Sequence, residues 1–326
     1  MILVTGAGGQ IGSDLTEALR ERHGAGEVLA TDLVSPDGDP AHALDVTDRK
    51  RLEETIERDG IDTVYHLAGV LSAVGEKHPA RCWDVNVDGL RNVLDLAQSH
   101  GLRVFWPSSI AVFGPYTPRH LTPQVTVEDP RTMYGITKVT GELLCDYYAR
   151  KFGVDVRSLR LPGIISYTTP PGGGTTDFAV EIFYAALRDG AYTCFVRPET
   201  RLPMMYMPDT IRAVLMLMDA DASDLHVHSS YNITGLSFSA EELAAAIRER
   251  MPSFTVRYEP DFRQAIADTW PAQIDDSRAR ADWGWRPAFD LDALVDDMLE
   301  KLGARLGVDP KASPPAKSSE KTIVPS

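Results

Sequence analysis

A phenol and an ammonium four residues apart are the first chemistry the chain offers. Tyr134-Gly135-Ile136-Thr137-Lys138 puts the two side chains at i and i+4, one turn apart on a single helix face. A free phenol, with a pKa near ~10, is a poor base at neutral pH. A neighbouring cation favours the phenolate and moves that value down. Such a pair could take a proton from an alcohol while a hydride leaves its carbon. Ser109 falls just past a strand read over Leu102–Trp106. Its hydroxyl could bond the reacting oxygen and the phenol together, or cap a turn, as Ser108 beside it could.

The second constellation is a run of glycines. Thr5-Gly6-Ala7-Gly8-Gly9-Gln10-Ile11-Gly12 spaces Gly6, Gly9 and Gly12 as G-x-x-G-x-x-G, directly after the apolar run Met1–Thr5 and before a helical pattern. Gly6 permits a tight turn, Gly9 lets backbone approach a pyrophosphate, and Gly12 lets helix and strand pack closely. The helix N-terminus then offers free N–H groups and a positive dipole end. Asp32 lies about 20 residues past Gly12, the spacing of a carboxylate that bonds ribose hydroxyls. Leu33 and Val34 follow it, with no Arg or Lys for a 2′-phosphate, so NAD is favoured over NADP. A surface aspartate capping a structural turn is the plainer alternative.

The elements that must position these groups alternate. Met1–Thr5, Glu27–Thr31, Thr63–Leu67, Leu102–Trp106 and Val154–Leu159 read as strands. Between them come helices over Ile11–Arg22, from Thr47-Asp48 to about Arg58, from Pro79 to Gly101, and over about Thr132–Lys151. In the Pro79 helix, Trp83, Val87, Leu90, Leu94 and Ala97 make one stripe expected to be buried. This alternation predicts an α/β doubly wound parallel sheet of the Rossmann type.

The second half reads as a smaller, mostly helical lobe. Pro170-Pro171-Gly172-Gly173-Gly174 is a tight turn, followed by helices at Asp177–Arg188, Asp209–Met218, Ala240–Arg250 and Leu291–Leu302 and a strand near Tyr231–Thr234. The expected division is a dinucleotide-binding domain of residues 1–162 plus 203–235 and a substrate lobe of 163–202 plus 236–306. From about Val308 the chain is polar and proline-rich, so 307–326 is expected to be disordered.

Composition narrows the function classes. The 326 residues are 43% hydrophobic and 25% charged, enough for a substantial core. A net charge of −14 without a basic tail argues against nucleic-acid and anionic-membrane partners. No apolar run reaches the ~20 residues of a membrane span, and Met1-Ile2-Leu3-Val4 has no signal-peptide pattern. Cys82, Cys145 and Cys194 are far apart and read as buried thiols, which makes the cytoplasm the expected compartment. His226-Val227-His228 lacks a third ligand, and no metal is expected. Met204, Met205 and Met207 beside Tyr206 read as packing.

Together, Thr-Gly-x-x-Gly-x-x-Gly, Asp32, His66-Leu67-Ala68-Gly69, Asn86, Ser109 and Tyr134-x-x-x-Lys138 resemble the extended short-chain dehydrogenase/reductases. That resemblance implies that Gly6, Gly9, Gln10, Ile11, Gly12, Asp32, Asn86, Tyr134 and Lys138 hold the cofactor. By the same resemblance Asp45 and Val46 flank the adenine, Leu67, Ala68 and Gly69 line the cofactor, and Pro162 and Ile164 meet the nicotinamide.

One branch is similar at longer strings: Arg160–Ser166, Pro171–Asp177, Leu202–Asp209, and Trp270-Pro271 with Ile274–Ser277. These resemble the L-threonine 3-dehydrogenases of the short-chain type from residue 1 to about 305. The branch implies NAD-dependent oxidation of L-threonine to 2-amino-3-oxobutyrate, on the way to glycine and acetyl-CoA or to aminoacetone. It implies a pocket of Ser72, Ser109, Tyr134, Gly174, Thr175, Thr176 and Trp270, and a homodimer formed through the Tyr134 and Pro79–Ser99 helices. Free N–H groups of the glycine-rich turn and nearby hydroxyls would receive the threonine carboxylate. Thr175 and Thr176 could instead cap a helix, and Trp270 could be lobe core. Many branch members carry Thr where this chain has Ser109.

Two other readings stay open. A nucleotide-sugar 4-epimerase shares the scaffold, while a dehydratase would carry Asp-Glu where Ile110-Ala111 stands. A non-catalytic NAD sensor typically loses the Tyr or Lys, and both are present. Zinc-dependent threonine dehydrogenases of the medium-chain type are excluded for want of a ligand cluster.

Overall fold

The computed structural model describes residues 1–39 and 42–310. In chain order its strands are β1 (Ile2–Thr5), β2 (Val28–Thr31), β3 (Thr63–His66), β4 (Arg103–Ser109), β5 (Val156–Leu161), β6 (Gly163–Ile165), β7 (Ala191–Cys194), β8 (Arg201–Tyr206), β9 (Tyr231–Asn232), β10 (Leu236–Ser239) and β11 (Thr255–Tyr258). The helices of the first half are α1 (Gln10–His23), α2 (Arg49–Asp59), α3 (Ser72–Lys77), α4 (Pro79–Trp83), α5 (Gly89–His100) and α6 (Met133–Phe152). Those of the second are α7 (Phe178–Asp189), α8 (Met207–Asp219), α9 (Ala240–Arg250), α10 (Phe262–Ala267), α11 (Ser277–Trp283) and α12 (Leu291–Leu306).

Six parallel strands form the central sheet in the order β2-β1-β3-β4-β5-β9. Strand side chains alternate between faces, and both faces are covered. Val4, Ala30, Tyr65, Phe105 and Leu159 pack with Leu15 and Leu19 of α1 and Val214 of α8. Leu3, Val64, Val104 and Val156 pack with Leu52 of α2, Leu90 of α5 and Cys145 of α6. Burial on both sides is why these strands read as unbroken apolar runs. The winding direction reverses between β1 and β3, which opens a crevice at the carboxyl ends of the strands.

The Pro79 segment departs from the single helix expected. A π turn over Asp84–Asp88 joins α4 to α5. The extra residue rotates what precedes it, so Val87, Leu90, Leu94 and Ala97 are buried while Trp83 is 40% exposed. Strand β4 runs on to Ser109, beyond the expected Trp106. It tolerates Pro107 because β3 pairs with it only as far as Phe105, leaving no partner on that side for a missing N–H.

The second half contains more sheet than its pattern suggested. β10-β8-β6 form a mixed three-stranded sheet and β11-β7 a parallel pair. Their core includes Phe178, Phe183, Leu202, Phe238 and Leu294. β8 stands between two cores: Leu202, Met204 and Tyr206 face this one, and Met205, with Met207 at the start of α8, faces the central sheet's. Gly307, at φ +67°, ends α12, and Val308 folds back to donate its N–H to Gly303 at 2.9 Å and packs on the lobe. The described chain ends at Pro310, so residues 311–326, most of the segment expected to be disordered, lie outside it. No helix among the described residues is long and apolar enough to cross a membrane.

Candidate active site

The glycine loop fills the crevice between β1 and β3. Gly6 takes φ +71°, and a Cβ there would stand 2.5 Å from the Ala68 nitrogen, so the loop lies directly against the Leu67–Ala68 backbone. At Gly12 a Cβ would fall 2.1 Å from the Gly6 carbonyl oxygen. Helix α1 therefore starts against the turn, with no side-chain cap at Gly9 and no acid in its first turn. The opening N–H groups, those of Gln10 and Ile11 among them, are left for an anion. Asp32 accepts the Gly8 N–H at 3.0 Å and the Leu33 N–H at 2.6 Å, which fixes its carboxylate beside the loop. A backbone cradle with a carboxylate at its rim fits a dinucleotide whose pyrophosphate meets α1 and whose ribose meets Asp32.

Around this cradle the other expected cofactor residues are placed differently from one another. Gly69 lies beside Asn86, whose Oδ1 accepts Val70 N–H at 2.7 Å. The Asn86 amide nitrogen donates to Val70 O at 3.0 Å and Thr137 Oγ1 at 3.1 Å, so this side chain ties the loop after β3 to α6. Asp45 accepts from Thr47 N–H at 2.9 Å and from its hydroxyl at 2.7 Å, closing a turn. Val46 is buried against Gly89. Pro162 is the step by which the chain leaves β5 for β6, which contains Ile164.

Three segments bring together the residues expected to handle the proton. Lys138 Nζ, almost fully buried, donates to the Pro107 carbonyl at 2.6 Å and stands 5.5 Å from the Tyr134 ring centre. The Ser109 hydroxyl accepts Ala111 N–H at 3.2 Å, the turn cap left open above, and also lies within hydrogen-bonding reach of the Tyr134 phenol. Helix α3, which Ser72 opens, packs on the start of α6: Met133 N–H donates to Glu76 at 2.6 Å.

The expected lowering of the phenol by the lysine is not what this site shows. Burial pushes Tyr134 up to about 12, opposed by its bond with Ser109. Burial likewise pulls Lys138 down to about 8. A lysine that deprotonates near 8 is neutral before a phenol at 12 ionises, so the two cannot help each other on the alkaline side.

On the lobe side, Thr176 packs on Gly163: a Cβ there would lie 2.7 Å from its methyl. Trp270 packs on the lobe core and on Ile110, Val112 and Phe113, the residues that follow Ser109. One expectation is corrected here. The Gly173 and Gly174 N–H groups are not free; both donate to the Asp177 carboxylate, at 2.7 and 2.8 Å. Neither Thr175 nor Thr176 side chain caps α7, whose cap residue is Asp177.

Some residues make contacts that spacing alone did not signal. Gly8 carries the contact to Asp32 but was hidden in a glycine run. His66, fully buried and bonded to Thr5 Oγ1 at 2.8 Å, is held down to about 3 by burial and by the Lys138 charge. Glu142, two turns beyond Tyr134, accepts the Ser108 hydroxyl at 2.6 Å. His226 pairs with Asp282, and Glu53 and Glu57 of α2 and His100 at the end of α5 are grouped closely enough for a metal.

A sheet with this switch point, a glycine loop with its acid, and a Ser–Tyr–Lys trio at the strand ends define a dinucleotide-dependent enzyme of the extended short-chain dehydrogenase/reductase class. The chain belongs to the NAD dependent epimerase/dehydratase family, whose model matches residues 2–234, and NAD is its cofactor. It is 47% identical over 308 residues to an uncharacterized epimerase/dehydratase of Staphylococcus aureus, covering 92% of this chain and 96% of that one. Among solved structures it resembles the holo form of a GalE-like L-threonine dehydrogenase from Cupriavidus necator, at 56% identity and TM-score 0.89, over 92% of this chain and 99% of that one. It also resembles L-threonine dehydrogenase from Phytophthora infestans, at 52% identity and TM-score 0.90, over 93% and 99% of the two chains.

Proposed function

We propose that the protein oxidises L-threonine at its β-carbon to 2-amino-3-oxobutyrate. The observation that carries this reading is the Ser109–Tyr134–Lys138 trio at the end of β4, beside a dinucleotide cradle, in a chain 56% identical to a threonine dehydrogenase. When bound, NAD supplies the hydride acceptor. Gly6, Gly9, Gln10, Ile11 and Gly12 hold its pyrophosphate. Asp32 takes the adenosine ribose, with Asp45, Val46, Leu67, Ala68 and Gly69 lining the groove and Pro162 and Ile164 at the nicotinamide end. Asn86 supports that groove through the loop after β3.

Ser109 donates to the substrate oxygen, and Tyr134 takes the hydroxyl proton. Its buried phenol needs stabilisation as an anion, which Lys138 supplies while charged. Ser72, Thr175, Thr176 and Trp270 form the pocket wall, with Thr175 and Thr176 hydroxyls offered to the substrate's polar end. Because Asp177 occupies the Gly173 and Gly174 N–H groups, the substrate carboxylate is met by hydroxyls unless this turn rearranges. The lobe of 163–202 plus 236–306 carries this wall apart from Ser72, and two copies associate through α5 and α6.

The test is NADH absorbance with NAD and L-threonine, with NADP and UDP-galactose in parallel. Threonine-dependent NADH is the expected result. Tyr134→Phe keeps NAD binding and loses turnover by about 100-fold or more. Activity on UDP-galactose alone, or near wild-type turnover in Tyr134→Phe, overturns the reading.

A further inference from the structure

Tyr134, Lys138 and Glu142 stand at i, i+4 and i+8 of α6, on one face of one helix. The strand end they face answers residue for residue. The Pro107 carbonyl accepts from Lys138 Nζ at 2.6 Å, the Ser108 hydroxyl donates to Glu142 Oε1 at 2.6 Å, and the Ser109 hydroxyl meets the Tyr134 phenol.

Glu142 is 2% exposed and also accepts Arg160 Nε at 2.9 and 3.1 Å and Arg160 Nη2 at 2.6 Å. Arg160, equally buried, donates its other N–H groups to the Gln124 carbonyl at 2.9 Å, to Asn232 Oδ1 at 3.0 Å and to Glu128. A buried ion pair of this kind is no stability device in itself, since well-packed apolar side chains often do as well. Its place in the site gives it another use. Among the described residues Lys138 has no ion-pair partner; its ammonium rests on the Pro107 carbonyl and on the Trp106 ring at 4.6 Å. The titratable groups around it are Cys82 of α4, His66 of β3, and Tyr134, Cys145 and Glu142 of α6. Burial keeps the thiols, the imidazole and the phenol neutral at pH 7; the carboxylate of the group is that of Glu142, held in its ion pair with Arg160.

We propose that Glu142 is a positioning residue of the site, fixing the Pro107–Ser109 strand end through Ser108 and keeping Lys138 a cation through its buried charge. The proposal rests on Tyr134 and Lys138 acting as the proton-handling pair, but it concerns the charge of Lys138 and not the identity of the alcohol. Ser108 sits between the two residues whose oxygens Lys138 and Tyr134 use. Losing its anchor loosens both contacts at once.

The experiment is NMR titration of the Lys138 amine in full-length protein labelled with nitrogen-15 at lysine, the signal assigned by its loss in Lys138→Met. Glu142→Gln keeps the shape and an acceptor for Ser108 but removes the charge. Its Lys138 midpoint falls by about one pH unit, a tenfold loss of the charged form at a given alkaline pH. Glu142→Asp lowers it by less. Ser108→Ala, which frees the strand end but keeps the Glu142 charge, moves the midpoint by less than Glu142→Gln does, while kcat falls several-fold at unchanged KM for NAD. An unchanged midpoint in folded Glu142→Gln overturns the proposal; should that variant not fold, an unchanged midpoint in Glu142→Asp overturns it equally. The titration needs no substrate, so failure to oxidise threonine would sink the proposed function and leave this result standing on its own.

Discussion

Replacing Lys138 by Met tests the proton-handling pair directly. The ammonium lies 5.5 Å from the Tyr134 ring centre inside the protein. At an effective dielectric of about 20, a unit charge at that distance stabilises the phenolate by about 3 kcal/mol. That is a bias of about 100-fold in the phenolate population at a fixed pH. Lys138 holds its proton only up to about 8, so the advantage exists below that pH and fades above it. Lys138→Met should turn over threonine about 100-fold more slowly than wild type at pH 7, with the ratio closing as pH rises past 8. The assay is the initial rate of NADH formation at saturating NAD and L-threonine across that range. Saturating NAD removes any loss of ribose binding from the comparison. A ratio that stays constant with pH would refute the electrostatic account, because loss of a packing contact alone has no reason to track the charge of the lysine.

Gly12→Ala drives a Cβ to 2.1 Å from the Gly6 carbonyl oxygen and 2.9 Å from Ala7 Cα, both backbone. We expect a loss of at least about 1–3 kcal/mol of stability and no protection by NAD in a thermal melt. His66 is held near 3, far below its ordinary 6.5, so its contribution is complete above pH 6.5 and lost as pH falls toward 3. Wild type should lose about 2 kcal/mol more than His66→Gln between pH 6.5 and 5 in urea unfolding, at about 1.36 kcal/mol per pH unit; equal losses would count against a neutral buried imidazole. On the outer face of α6, Leu143 and Tyr147 are 66% and 52% exposed. By light scattering we expect dimers of the wild type and monomers of Leu143→Glu with Tyr147→Glu; a monomeric wild type would refute the proposed pairing.

What could be read from the chain was local. Gly6, Gly9 and Gly12 declare a strand-to-helix turn by spacing alone, and Asp32 follows at the interval one β-α-β crossover imposes. Strands β7, β10 and β11 are no shorter than β1–β3 but lack their continuous burial, so no unbroken apolar run marks them, and three-residue β6 is too short to mark itself. The π turn at Asp84–Asp88 escaped because one added residue leaves every apolar residue in the sequence while rotating Trp83 out of the stripe. Asn86 and the Gly174 N–H group fit a ligand-binding pattern by position, yet their hydrogen bonds go to Val70, Thr137 and Asp177. Partner choice is set by tertiary contact, which spacing does not encode.

The same limit decides the chemistry. A Tyr–Lys pair one turn apart suggests a cation lowering a phenol, and in water that inference would suffice. Inside the protein, burial acts on both groups before they act on each other, raising Tyr134 and lowering Lys138. The pair is useful only in the interval where Lys138 stays charged, and the width of that interval depends on what else is charged nearby. Glu142 continues the Tyr134–Lys138 spacing by one more turn, on a face where a solvent-exposed helix would gain little from it. Buried to 2% and bonded to Ser108 and Arg160, it is the group through which the fold adjusts that interval. The reactivity of Tyr134 is thus a property of three helix residues and the strand end they grip, and a change at the third should be read at the first as a change in pH dependence before any change in structure.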